Sequence, residues 1–449
     1  MDRPPSACAR TLRRLRTSRG WSWSDLVGHL QTAARALRIT RIAAAQPGSI
    51  RRTVARWESG KSTPDEQYQL LLAYTYARTP TGAVALGPSS DLAELLDGLA
   101  AAGVEPTRLD ELTTTVAASI TSHGMSLLAF LGGALQNDLT EALADPTRVD
   151  LPVLEGLAHA NNAVNAQIGS VPFVRLHLAQ AAIVDSCRHL LQGTQPDIVR
   201  TRLRDVASRS YALAARIAFE TRDDAAALRL HSDAVATADP AAPSQRALIR
   251  TSQTMVVYYS TGDITRARRI ADAAAQDARR GPSALMRARA HALQAEMAAR
   301  AARQRHAQAA LHLAWHDLEG DIGGDPMPGA FSAGRLRGFE GVCGIFLGAA
   351  EAAEQQLTQA AGTLTRTRES VQRSIVLADR ALARLHTQGA GAAETSAEQL
   401  HECVDLVAAT RARVPAQRLR QARLELRPWR SEGFVGDLDD HIHTALIGL

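Results

Sequence analysis

The stretch Ile50-Arg51-Arg52-Thr53-Val54-Ala55-Arg56-Trp57-Glu58-Ser59-Gly60-Lys61-Ser62-Thr63-Pro64 has the periodicity of an amphipathic helix followed by a stop. Ile50, Val54 and Trp57 recur at helical spacing and face a core, which turns Arg51, Arg52, Ala55 and Arg56 outward. Ser49 is the expected cap of the helix over 50–59, and Gly60 closes it. Thr63-Pro64-Asp65-Glu66 then starts another helix, with a threonine cap, proline at the first position and glutamate at the third. Leu70, Leu71, Tyr74 and Ala77 give that helix its apolar face.

Upstream, residues 7–19 carry Leu12 and Leu15 among arginines and stop at Gly20. Ser22 reads as the next cap, with Asp25 three residues on completing an approximate capping box, and Leu26, Val27 and Leu30 form the inner side. From Gln31 to Gly48 the chain is long for a tight turn. It carries Arg35, Arg38 and Arg41 before the breaker Gln46-Pro47-Gly48, so either the second helix is extended or an extra turn intervenes. The extra arginines suit a nucleic-acid backbone or a solvated face equally.

Charge is distributed unevenly. Residues 1–80 hold fourteen Arg/Lys against five Asp/Glu, out of 51 and 46 in the chain, which leaves 37 basic and 41 acidic residues for the rest. Lys61 is the only lysine, so a bias towards arginine is at work, but bias does not explain a surplus at one end. Cationic density confined to one end is the electrostatic footprint of a nucleic-acid module joined to a near-neutral domain. An exposed helical face with three arginines suits the major groove, where guanidinium pairs bidentately with guanine or clamps phosphate.

On Thr53, Val54, Trp57, Glu58, Gly60 and Pro64, with Trp21-Ser22-Trp23-Ser24-Asp25-Leu26 upstream, the segment resembles the phage-repressor-like (XRE-type) helix-turn-helix family. The resemblance implies contact with double-stranded DNA: Arg51 and Arg52 at base edges, Arg56 and Lys61 at phosphates, and Ser22 as a backbone-anchoring cap. Trp57 is expected in the core and Glu58 in an ion pair or hydrogen bond within the domain. Two departures stand out: Trp23 replaces the family's usual glutamine, and residues 31–48 are an insertion.

Residues 78–90, RTPTGAVALGPSS, have a linker composition. Beyond them the chain reads as helix after helix, with a degenerate repeat of about 40 residues from position 200. Helix pairs are expected near 209–238, 251–278, 285–319, 335–365 and 373–412, turning at Arg222-Asp223-Asp224 and Gly262-Asp263 and breaking near Gln304, Gly348 and Gly389. Small residues at Ala227, Ala234, Ala267, Ala271 and Ala274 would let the paired helices approach closely. The region 200–430, including Gly341-Val342-Cys343-Gly344-Ile345-Phe346-Leu347-Gly348 and Arg373–Ala378, resembles the tetratricopeptide-like C-terminal region of actinobacterial regulators with an XRE-type N-terminus. The fold class expected is therefore all-α: a helix-turn-helix domain of four or five helices over 1–80, a linker over 81–90, a helical connecting region over 91–200, and a tetratricopeptide-like α-solenoid over 201–449. The family implies transcription control by homodimers, sometimes with a peptide or small molecule as signal.

The segment 159–167 places amides on an otherwise apolar helix, with His159, Asn162 and Asn165 sharing a face. Such amides pair with a peptide backbone, as the resemblance implies for peptide-sensing regulators; more ordinarily they satisfy buried backbone or neighbouring helices. Tyr258 and Tyr259 suit a groove or, more ordinarily, a core. No catalytic constellation is present: no His-Glu-x-x-His, no phosphate-loop glycines and no Gly-x-Ser-x-Gly. Asp437, Asp439, Asp440, His441 and His443 include metal-capable groups but read as a charged helix surface. No enzyme activity, cofactor or metal is expected.

Cys8, Cys187, Cys343 and Cys403 are too dispersed for a disulfide framework and read as reduced, buried thiols. No stretch approaches about 18 uncharged apolar residues, so no membrane span is expected. The localisation expected is cytoplasmic, at the nucleoid when DNA is bound. The competing reading is a tetratricopeptide-like scaffold for protein partners without specific DNA binding.

Overall fold

The computed structural model describes residues 6–121, 127–131, 133–171, 173–320 and 322–446. Among them the chain is all-α, with 22 α-helices, four short 3-10 turns and no β-strand. It divides into two units: residues up to Glu141 with His177–Ile183, and Ala142–Leu176 with Val184–Ala445. None of its helices among the described residues is long and apolar enough to cross a membrane.

The first unit begins with α1 (Ala7–Ser18), α2 (Trp23–Ala36), α3 (Thr40–Ala43), α4 (Pro47–Glu58) and α5 (Glu66–Tyr76). Leu12, Leu15, Leu26, Leu30, Ile50, Val54, Trp57 and Leu71 meet in one core, and each is at most 5% exposed. Gly20 follows α1 with φ +69°, a conformation glycine adopts without a Cβ penalty. Two helix starts differ from the sequence expectation. Helix α4 begins at Pro47, not at a Ser49 cap, because proline fits the first turn, where its missing N–H is not needed. Helix α5 is capped by Asp65 rather than Thr63, since the Asp65 carboxylate accepts the Tyr68 N–H at 3.0 Å while the Pro64 carbonyl accepts Gln69 Nε2. The long stretch between α2 and α4 does both things at once: α2 extends to Ala36, and the single turn α3 follows.

Helices α6 (Asp91–Ala100) and α7 (Pro106–Thr121) also belong to this core, through Leu92, Leu95, Leu99, Leu112 and Val116. The division therefore falls at 141/142 and not at 81–90. Residues 78–90 are held by hydrogen bonds: Ala85 N–H donates to Ala77 O at 2.8 Å, Thr79 N–H to Ala83 O at 2.8 Å, and Ser90 caps α6. Arg19, buried at 3% side-chain exposure, ties them down by donating to Asp91 and to the Arg78 carbonyl.

Helices α8 (Gly133–Ala144), α9 (Leu151–Ala166) and α10 (Phe173–Leu190) precede five helix pairs of the second unit. These are α11 (Asp197–Glu220) with α12 (Asp224–Thr237), α13 (Pro243–Thr261) with α14 (Ile264–Arg280), and α15 (Ala284–Arg300) with α16 (Gln304–Glu319). Then follow α17 (Ala333–Phe346) with α18 (Ala350–Thr363) and α19 (Ser370–His386) with α20 (Ala392–Thr410). The first helices stack in sequence, and α21 (Arg413–Glu425) lies against both α19 and α11; α22 (Gly433–Ala445) packs on α20.

Each pair turns through a left-handed residue: Arg222, Gly262, Ala302, Gly348 and Gln388. The first three are spaced 40 residues apart, as are the last two. Asp223 and Asp263 then cap the following helices, accepting the N–H of Ala226 and Arg266. Ala227, Ala234, Ala267, Ala271 and Ala274 are fully buried where the paired helices meet.

Glycine does the same work in α17. A Cβ built on Gly341 would lie 2.4 Å from Leu357 Cγ and 3.1 Å from the Ala353 carbonyl. Gly341→Val should therefore overpack the α17–α18 seam and cost on the order of 2–3 kcal/mol. Gly362→Ala, whose Cβ meets nothing within 4 Å, should be neutral or slightly stabilising. Urea titration followed by circular dichroism checks both; equal midpoints for the two variants would contradict the packing.

Candidate functional site

Helix α4 is fixed from below by Ile50, Val54 and Trp57, with Trp57 edge-on to Tyr68 at 4.8 Å between ring centres. Its opposite side presents Arg51, Arg52 and Arg56, and Lys61 stands in the turn that follows; all four are exposed. None of these side chains has a hydrogen-bond or ion-pair partner among the described residues. Arg13 and Arg35 are likewise exposed and unpartnered.

Other arginines nearby are engaged internally. Arg14 pairs with Glu94 and Arg19 with Asp91, while Arg41, from the insertion, donates to Gln67 and Asp65. The cations on α4 are thus left over after local carboxylates have been matched.

Glu58 is the fastening that holds this face. Buried at 9%, it receives Arg16 Nε at 2.6 Å and Nη2 at 2.8 Å, and Trp23 Nε1 at 3.0 Å. Arg16 also donates to the Trp21 carbonyl at 2.7 Å, so α1, α2 and α4 converge on one carboxylate. The hydrogen bond to Glu58 holds the Arg16 guanidinium above its ordinary pKa. Trp23 braces the domain through its indole N–H. Ser22 caps α2: its hydroxyl accepts the Asp25 N–H at 3.2 Å, its own N–H donates to Asp25 at 2.8 Å, and these bonds hold the Asp25 carboxyl below its usual value. His29 stacks on Trp21 at 4.1 Å and is pushed down by burial and by Arg19.

Glu58→Ala should strand the Arg16 guanidinium and destabilise the first unit by roughly 3 kcal/mol. Fluorescence of Trp21, Trp23 and Trp57 during urea titration reports it; an unchanged midpoint would remove Glu58 from this role.

No protein family, curated protein or solved structure gives a match to this chain.

In the second unit the first helices of the pairs line a cavity of about 300 Å3. One part holds Arg216, Arg289 and Arg335; another holds a buried ion network in which Arg418 meets Asp379 at 2.5 Å, Glu296 at 3.4 Å and the Tyr259 hydroxyl at 2.8 Å. Tyr259 lines this cavity, while its neighbour Tyr258 accepts Arg300 Nη1 at 3.0 Å.

His159, Asn162 and Asn165 share a face of α9, as their spacing requires, but that face is exposed, has no partner among the described residues and lies outside the cavity lining. The inward amide of that segment is Asn161. Near the C-terminus Asp439 is held by Arg423 and His441 by Asp405 and His401, and no group of three metal-capable side chains occurs among the described residues. All four cysteines are free and buried, and burial pushes the Cys8 thiol up to about 11 and the Cys187 thiol to about 12. Nothing along the chain singles out the arginines of the cavity: each shares its helix with other arginines, such as Arg209 on α11, Arg287 on α15 and Arg337 on α17, and is set apart only when the first helices stack.

Proposed function

We propose that the chain is a sequence-specific DNA-binding transcription regulator, with α4 as its reading helix. The supporting observation is the exposed set Arg51, Arg52 and Arg56, with Lys61 in the turn that follows, unpartnered among the described residues and carried by a helix locked by Ile50, Val54, Trp57 and Glu58. Rigid placement matters because bidentate base contacts need a defined approach, while unpaired guanidinium groups lose no internal ion pair on docking. Arg51 and Arg52 read base edges in this account; Arg56 and Lys61 meet phosphates, and Ser22 anchors the backbone beside them.

The same reading assigns residues 1–80 to an XRE-type helix-turn-helix and the five pairs of the second unit to a tetratricopeptide-like array. The left-handed turns at 40-residue spacing support the latter. As a regulator it would act as a homodimer on paired half-sites about 34–36 Å apart and respond to an effector. It would be found in the cytoplasm, at the nucleoid when DNA is bound.

Selection of full-length protein against a random duplex library tests the proposal. Enrichment of one motif, with affinity falling steeply as salt rises, is expected. If no motif is enriched, the protein-partner scaffold takes its place.

A further inference from the structure

Independently of the DNA reading, we propose that the cavity between the first helices of the second unit binds a small molecule with an anionic, carboxylate-type head on an apolar body. The head would meet Arg216 of α11, Arg289 of α15 and Arg335 of α17, three guanidinium groups brought to one cavity from three different helix pairs. They are close enough to act on one another: Arg289 is driven down to about 10, by burial first and then by Arg335 and Arg216. Arg216 is lowered by burial and by Arg335, against the opposing pull of Glu220.

The carboxylates of the cavity are largely committed elsewhere. Glu220 accepts the Arg413 backbone N–H at 2.6 Å, Glu296 is shared by Arg300 and Arg418, and Asp379 is held by Arg418. Glu369 reaches Arg335 only at 3.9 Å. Among the described residues neither Arg216 nor Arg289 has a carboxylate within ion-pairing distance; Arg289 donates instead to the neutral Thr251 Oγ1 at 3.1 Å and Ala330 O at 3.3 Å. Like charges gathered in a desolvated place are unfavourable until an anion joins them, and guanidinium forks suit a planar carboxylate.

His231 of α12 adjoins the cavity but is 0% exposed, and among the described residues neither ring nitrogen has a hydrogen-bond partner. Burial pushes it down to about 4, so it is neutral near pH 7 and adds no positive charge beside the arginines. Much of the remaining wall is apolar, with Phe219, Met255, Phe331, Phe339 and Ile375, interrupted by Thr251, Ser252 and Gln372. A volume of about 300 Å3 matches that of on the order of ten water molecules, which suits a small molecule rather than a length of peptide.

Isothermal titration calorimetry on the full chain without DNA tests this, with decanoate, decan-1-ol and inorganic phosphate as probes. Decanoate should bind once per chain, with decan-1-ol and phosphate each about tenfold weaker or more, since a charged hydrogen bond or the apolar body is missing. Arg289→Gln and Arg335→Gln should each weaken decanoate about tenfold while leaving decan-1-ol unchanged. His159→Ala, on the exposed face of α9, should change nothing. Circular dichroism and the thermal midpoint establish that the variants fold. The proposal is overturned by absence of decanoate binding at millimolar concentration, by equal affinity for acid and alcohol or for decanoate and phosphate, or by indifference to both arginine substitutions.

Discussion

Replacing Arg51 and Arg52 together by alanine is expected to weaken binding to the selected duplex on the order of thirtyfold to twenty-thousandfold, because each bidentate base contact is worth about 1–3 kcal/mol. Folding should barely respond. Both side chains are exposed and without partners among the described residues, and such substitutions usually change stability by no more than about 0.5 kcal/mol. Affinity for a scrambled duplex should fall far less, since that binding rests on phosphates. Arg56→Ala and Lys61→Ala should act differently, weakening both duplexes alike and each reducing the slope of log affinity against log salt by about 0.9. Fluorescence anisotropy over a salt series separates the two patterns. A double variant that binds like the parent would show that α4 does not read DNA.

Asp379→Ala is expected to destabilise the second unit by about 3–5 kcal/mol, because it leaves Arg418 buried without its closest counter-charge. Asp379 is 1% exposed and Arg418 6%, so bulk solvent does little to screen the charge left behind. Glu296, at 3.4 Å from Arg418 and already taken by Arg300 at 2.7 Å, compensates poorly. The cost should be largely relieved in Asp379→Leu combined with Arg418→Met, which removes both charges and refills the space with apolar atoms. With the single variants Asp379→Leu and Arg418→Met, the double variant closes a cycle that measures the coupling between α19 and α21. Scanning calorimetry of the parent, Asp379→Ala, Asp379→Leu, Arg418→Met and the combination of the last two reads out both effects; additive single and double effects would mean that the pair is not the clamp described.

Much of the first unit was legible from residues alone. The i, i+4, i+7 pattern of Ile50, Val54 and Trp57 placed the core side of α4, and with it the outward arginines, because a helix of 3.6 residues per turn has only one apolar stripe. The capping box at Ser22 was equally local. Helix starts at Ser49 and Thr63 were misplaced by a few residues because Pro47 and Asp65 compete for the same roles within one turn. The stretch 78–90 misled for another reason: glycine, proline and serine mark a turn whether or not the chain beyond it returns to the same core.

By itself the sequence determined an all-helical chain, the places where its helices pair, and a cationic end whose surplus exceeds its own acids; these follow from periodicity, from left-handed turn positions and from counting charge, all of them short-range properties. Only tertiary structure decided that α6 and α7 complete the first core, that Trp23 and Arg16 share Glu58, and that Arg216, Arg289 and Arg335 face one cavity with His231. Those residues are separated by tens to more than a hundred positions, and their meeting depends on how successive helices stack, which the pattern along any single helix does not encode.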